Sequence, residues 1–141
     1  MADTNDLVKT VIQVLHDGQK GFADIGEHIK DPGMKSFFMA QAQQRGSFAS
    51  ELVSATGMTD VGGSVAAPVH RLWGDLKANL GGSDHTLLDT AEQGEDAAKK
   101  AYEAALGDTS LTGPVRSLLQ TQHGHIVSSH NKVVAFRDAT K

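Results

Sequence analysis

The sequence lacks cysteine entirely and is poor in proline and aromatic residues, with three prolines, one tryptophan and one tyrosine among its 141 residues. Without cysteine there can be no disulfide, no thiolate metal site and no cysteine nucleophile. No Gly-x-Ser-x-Gly element is present either, so the sequence offers no motif for nucleophilic catalysis. A chain without cysteine suits a reducing compartment, and we predict a cytoplasmic location.

Basic charge and long apolar runs are also missing. The formal net charge is −4, so we do not expect the chain to bind nucleic acid, whose phosphates require a basic surface. No run approaches the roughly 20 apolar residues that span a membrane. The N-terminal residues 1–6 are polar and acidic, unlike an export signal. A membrane protein is therefore not expected.

What the chain does contain is four stretches in which apolar residues recur every three or four positions. This spacing places them on one face of a helix. The first stripe reads Val8, Ile12, Leu15, Gln19, Phe22, Gly26 and Ile29. Near the middle of each stripe a polar residue replaces an apolar one, and these residues are Gln19, Gln41, Gln44, Glu95, Gln122 and His125. If the four faces share one core, these polar residues form a belt between two apolar layers, and such a belt requires partners or a ligand.

Turn and capping residues divide the chain into helices within a single predicted domain, 1–141. The predicted helices span about 4–30, 33–56, 84–106 and 113–139, with a shorter helix at about 64–80. The first pair and the last pair are each joined by a short turn, whereas the long segment between the pairs is a crossover. Two helical hairpins joined by one crossover is the connectivity of ferritin-like bundles. We therefore predict an all-α, antiparallel four-helix bundle of the ferritin-like type.

The polar positions have a counterpart in that superfamily. Ferritin-like carboxylate proteins place Glu on the first helix, Glu-x-x-His on the second, Glu on the third and Glu-x-x-His on the fourth. Here the corresponding residues are Gln19, Gln41-x-x-Gln44, Glu95 and Gln122-x-x-His125. The pair Glu92 and Glu95 looks like the third helix of rubrerythrins. The sequence motifs at 17–22, 43–45, 70–73 and 94–98 resemble a family of uncharacterised bacterial four-helix-bundle proteins within the ferritin-like group.

The resemblance implies a degenerate di-metal site, because neutral amides stand at most of the positions where carboxylates would hold metal. Two interpretations remain open for the polar belt. In one, the glutamines form a hydrogen-bonded layer in which Arg45 or His125 pairs with Glu95. In the other, Glu92, Glu95 and His125 bind iron or another transition metal.

For function, the first interpretation predicts a non-enzymatic bacterial binding, assembly or stress-associated module with no cofactor. The alternative is a metal-binding oxidoreductase or metal-storage relative. A homodimer or an unknown protein partner is a further prediction, because the crossover carries an apolar edge that its own bundle or another chain must cover. That edge consists of Val65, Val69, Leu72, Leu76 and Leu80.

Overall fold

All secondary structure in the part of the chain that the structure describes is helical. The structure is a computed structural model that describes residues 4–58, 67–78 and 80–140. Within these ranges there are five helices and no strand. They are α1 (Thr4–His28), α2 (Pro32–Thr56), α3 (Ala67–Ala78), α4 (Asp84–Leu106) and α5 (Gly113–Ala139). The first predicted residues of the crossover helix, including Val65, lie outside the described residues, as do the side chains of Val69, His70, Arg71 and Lys77.

Local capping explains where α2 begins and ends and where α4 begins. The Asp31 carboxylate accepts a hydrogen bond from the backbone N–H of Met34 at 3.0 Å, and Pro32 follows it in the first turn of α2. Gly57 ends α2 in the left-handed conformation, with φ of 69°. Ser83 caps α4 by accepting from the N–H of Thr86. These are short-range interactions, which is why the sequence alone indicates the boundaries.

The end of α1 depends instead on residues from two other parts of the chain. The sequence predicted a helix to residue 30, but α1 ends at His28. The Lys35 ammonium donates to the Gly26 carbonyl at 2.7 Å, and the N–H of Lys30 donates to the Asp84 carboxylate at 2.9 Å. If the helix continued, the N–H of Lys30 would instead donate to the Gly26 carbonyl. Tertiary contacts therefore end α1 two residues early.

Four of the helices contact one another in a closed ring, since α1 borders α2 and α4, and α5 borders α4 and α2. Their inward residues form two buried clusters. The first cluster draws on residues 8–15, 48–52, 98–111 and 119–126. The second draws on residues 22–29, 34–42, 76, 87–91 and 133. None of the described helices is long and apolar enough to cross a membrane.

The crossover helix α3 lies across α1 and α4 of its own chain. Leu76 is fully buried in the second cluster, and the Trp73 ring meets Phe22 edge-on with the ring centroids 5.9 Å apart. Trp73 can approach this closely because two glycines face it. A Cβ atom would lie 2.4 Å from the indole at Gly21 and 2.6 Å from it at Gly94. The apolar edge of the crossover is thus covered, at least at these positions, by the chain itself.

Replacing Gly94 by alanine is expected to displace Trp73, because the new methyl group would overlap the indole ring. We expect Gly94→Ala to cost about 1–3 kcal/mol, the usual range for overpacking, and to shift the fluorescence of the single tryptophan towards that of a solvated indole. Thermal unfolding and emission spectra measure both effects.

Gly124→Ala provides the matched control in α5. A Cβ at Gly124 meets no atom within 4 Å, and its φ is not positive. This variant is expected to gain about 0.5–1 kcal/mol from the better helix propensity of alanine, with unchanged fluorescence. Equal effects at the two glycines would contradict the packing of α3.

Candidate functional site

A buried ion pair lies between the two apolar clusters. Arg45 of α2 donates from Nη2 to Oε1 of Glu95 on α4 at 2.6 Å, and both side chains are fully buried. The guanidinium also lies over the Phe22 ring, 4.6 Å from its centroid. Desolvating two charges is costly, so their mutual attraction must offset the loss of water.

The other two helices of the ring contribute small residues to this layer. Ser129 of α5 donates its hydroxyl to the same Glu95 oxygen at 2.6 Å. Gly18 of α1 faces the Arg45 stem, where a Cβ would already contact Cδ at 3.5 Å. A longer side chain at position 18 would compete with the guanidinium for space. Around the ion pair, α5 therefore contributes a hydroxyl group and α1 a residue without a side chain.

Hydrogen bonding in this layer is incomplete among the described side chains. Three buried polar atoms have no protein partner, namely Gln41 Oε1, Arg45 Nε and Glu95 Oε2. The ion pair uses a single carboxylate oxygen rather than the two-bond fork that arginine commonly makes. Buried polar atoms are nearly always satisfied. The layer therefore holds one buried donor and two buried acceptors that no described residue satisfies.

A second set of hydrogen-bonded polar groups lies inside the first apolar cluster. The Tyr102 hydroxyl donates to Gln122 Oε1 at 2.7 Å, while Gln122 Nε2 donates to the Phe48 carbonyl at 3.3 Å. Burial raises the pKa of the Tyr102 phenol far above its ordinary value, so the hydroxyl stays protonated and keeps its role as donor. This group ties α4, α5 and α2 together.

A surface groove adjoins the polar layer between α2 and α5. A groove of about 490 Å³ runs between these two helices. It is lined by Phe37, Gln41, Gln44, His125, Ser128, Ser129, Asn131, Lys132 and Ala135. Ser129 belongs both to this groove and to the ion-pair layer, and Gln41, whose buried Oε1 lacks a protein partner, also lines the groove. None of the described residues that line the groove is acidic.

The structure places the predicted belt residues in three different environments. Glu95 and Gln122 are buried, Gln41 and Gln44 are half-buried at the groove, and Gln19 and His125 are exposed. The belt as predicted is therefore corrected at Gln19 and His125, which point out of the core. At these two positions the neighbouring residues Gly18 and Ile126 face inward, whereas most other residues of the predicted stripes on α1 and α5 are buried or half-buried.

The predicted metal ligands Glu92, Glu95 and His125 are not brought together. Glu95 is held by Arg45 and Ser129, Glu92 contacts Arg137, and His125 lies on the exposed side of α5. Of the two predicted partners for Glu95, the structure uses Arg45. The positive charge next to this carboxylate is therefore a guanidinium.

Sequence reasoning missed two members of the layer as functional positions. Gly18 was missed because Gln19 satisfies the helical spacing on α1 equally well. Ser129 was included in the stripe on α5, but no role was assigned to it. One signal was available, because a glycine in the middle of a long helix often makes room for a bulky neighbour. Arg45, directly after the predicted Gln44, is the bulky neighbour.

In the part of the chain that the structure describes, four helices surround a buried arginine–glutamate pair and a fifth lies across two of them, which defines an all-helical protein with a charged central layer. The family described as "Domain of unknown function (DUF2383)" matches residues 3–108, and the chain belongs to this family. The match covers α1 to α4 and therefore both members of the ion pair. Among curated proteins, none matches the chain.

Replacing one member of the ion pair is expected to destabilise the folded protein much more than replacing both members together. Arg45→Met or Glu95→Leu alone leaves a buried, uncompensated charge and should cost about 3–5 kcal/mol. The double variant Arg45→Met/Glu95→Leu should be clearly more stable than the sum of the two losses predicts. Denaturant unfolding of the four proteins measures the coupling. Additive effects would show that the two charges do not depend on each other.

Tyr102 is expected to remain protonated in the folded protein at a pH where free tyrosine ionises. Free tyrosine ionises near pH 10, whereas the folded-state pKa lies above that value. Above about pH 10 the unfolded chain then binds fewer protons than the folded one, so stability falls as the pH rises.

Absorbance of the phenolate is a direct readout, because Tyr102 is the single tyrosine. It should appear only together with the loss of helical circular dichroism, and Tyr102→Phe should lose this contribution to alkaline destabilisation. Phenolate absorbance with a midpoint near pH 10 in protein that is still helical would contradict the buried position.

Proposed function

We propose that this protein is a non-enzymatic binding module built on a ferritin-like, antiparallel four-helix bundle. In this proposal the arginine–glutamate pair occupies the level at which ferritin-like carboxylate proteins hold two metal ions. The connectivity supports it, since two pairs of long helices are joined through a crossover that carries α3. The closed ring of contacts among α1, α2, α4 and α5 supports it as well.

The charge of the central layer favours ligand binding over metal-dependent redox chemistry. A ferritin-like di-metal centre normally uses about four carboxylates. Among the described residues Glu95 is the one buried carboxylate, and Arg45 already neutralises it. A metal ion at this level would have to displace the guanidinium. The pair therefore supplies the interhelical electrostatic attraction that metal ions provide elsewhere in the superfamily.

The groove between α2 and α5 is the site to which the proposal assigns the ligand. Gln41 and Lys132 both line it; the buried Oε1 of Gln41 has no protein donor, and none of the described lining residues is acidic. A ligand that fits must donate a hydrogen bond to Gln41 and bring negative charge to Lys132. Phe37 adds an apolar contact. These features together favour a small organic anion with an N–H or O–H group, such as a hydroxy or amino carboxylate.

The unpartnered Gln41 acceptor at the groove wall is the observation that carries this proposal. Leaving a buried acceptor unsatisfied costs about 1–3 kcal/mol, and a ligand donor would recover part of that cost. A catalytic role is less well supported, because Glu95 is paired and does not line the groove, so it has no contact with a bound molecule.

Binding can be tested by nuclear magnetic resonance and calorimetry with a panel of hydroxy, amino and unsubstituted carboxylates. Hydroxy or amino members should shift backbone amide signals of α2 and α5 around the groove. Gln41→Leu and Lys132→Gln should each weaken binding about tenfold or more, which corresponds to about 1.4 kcal/mol. Unsubstituted carboxylates should bind more weakly, because they carry no donor for Gln41.

Gln43→Leu is the matched control, since Gln43 is an exposed residue on the same helix and lines a different, shallow depression with His16 and Gln19. It should leave binding unchanged. If no member of the panel shifts the groove signals, or if Gln43→Leu weakens binding as much as Gln41→Leu, the groove is not the ligand site.

A further inference from the structure

A group of side chains that can bind a metal ion lies on the outer side of the contact between α4 and α5. Glu92 and Asp96 are one turn apart on α4, and His130 of α5 faces them. One ligand atom from each lies within 4.8 Å of the others, and they form the single such group of three among the residues that the structure describes. His130 Nε2 is 2.9 Å from Asp96 Oδ1. All three side chains are half-buried.

This donor set differs from a chance surface pairing of acidic groups. It combines one imidazole nitrogen with two carboxylates, and two separate helices supply the ligands. Zinc accepts both nitrogen and carboxylate oxygen, with bonds of about 2.0–2.2 Å. Ligand atoms already within 4.8 Å need only small side-chain rotations to meet one ion. Three protein ligands leave a fourth tetrahedral position open for water or another molecule.

Arg137 lies beside these three residues and forms an ion pair with one of them. Its Nη1 contacts the Glu92 carboxylate, and its Nε is 4.0 Å from Asp89. The carboxylates of Asp89, Glu92 and Asp96 outnumber this guanidinium three to one. The site therefore attracts positive charge, but Glu92 has to leave Arg137 before it can bind a metal ion.

We propose that Glu92, Asp96 and His130 form a zinc-class divalent metal site on the outside of the α4–α5 pair, with Arg137 as the built-in competitor for Glu92. The site is separate from the α2–α5 groove and from the buried Arg45–Glu95 layer. Metal binding clamps α4 to α5 at the level of the ion pair and leaves one coordination position open to solvent.

The test is a calorimetric titration of the tag-free full chain with zinc, accompanied by nuclear magnetic resonance spectra of the histidine rings. Wild type should bind one equivalent with the His130 signals moving first. His130→Ala and Asp96→Asn should each weaken binding tenfold or more. Arg137→Gln should strengthen binding about tenfold, because it releases Glu92. A role of these residues in stability alone would not produce the opposite effects of His130→Ala and Arg137→Gln.

His123→Ala is the matched control, because His123 on the same helix pairs with the single carboxylate of Glu103 at 3.3 Å. It should leave the high-affinity equivalent intact, as should Lys132→Gln in the groove. Circular dichroism checks that each variant is folded. The proposal is overturned if neither wild type nor Arg137→Gln binds one equivalent of zinc, or if His130→Ala binds as tightly as wild type. Binding that survives Asp96→Asn but not His123→Ala would place the metal elsewhere.

Discussion

The attraction between the Arg45 guanidinium and the Glu95 carboxylate fixes how α2 and α4 face the interior. Both charges are removed from water, so neither side chain can leave the core without stranding the other. Ser129 and the ring of Phe22 complete the surroundings, which ties α5 and α1 to the same point. One polar contact in the middle of two apolar clusters thus sets the relative rotation of four helices.

Small residues are the steric counterpart of this charged layer. An arginine stem needs more volume than an apolar side chain at the same position, and Gly18 on α1 leaves that volume free. Gly21 and Gly94 play the same part for Trp73, which lets α3 lie close against α1 and α4. Glycine weakens a helix, by roughly 0.5–1 kcal/mol relative to alanine. The close packing of the Arg45 and Trp73 side chains offsets this cost.

Incomplete satisfaction of the layer connects the fold with function. A fully bonded belt would only specify helix register, whereas this one leaves a donor and two acceptors without a partner among the described residues, and it adjoins a groove through Gln41 and Ser129. The proposed ligand binds in that groove. On the far side of α5, His130 faces two carboxylates of α4, so the same helix contributes to two chemically different sites.

Sequence alone determined the helical class, the capped ends of α2 and α4, and the inward face of α4, because these depend on neighbouring residues and on regular spacing. The tertiary structure decided which residues of α1, α2 and α5 face inward at the level of the charged layer. There it buries Gly18, Arg45 and Ile126 in place of the predicted Gln19, Gln44 and His125, and Gly18 leaves room for the Arg45 stem. It also decided where α1 ends, since Lys35 and Asp84 take the groups that would extend it. Such choices depend on residues far apart in sequence, which periodicity within one helix does not contain.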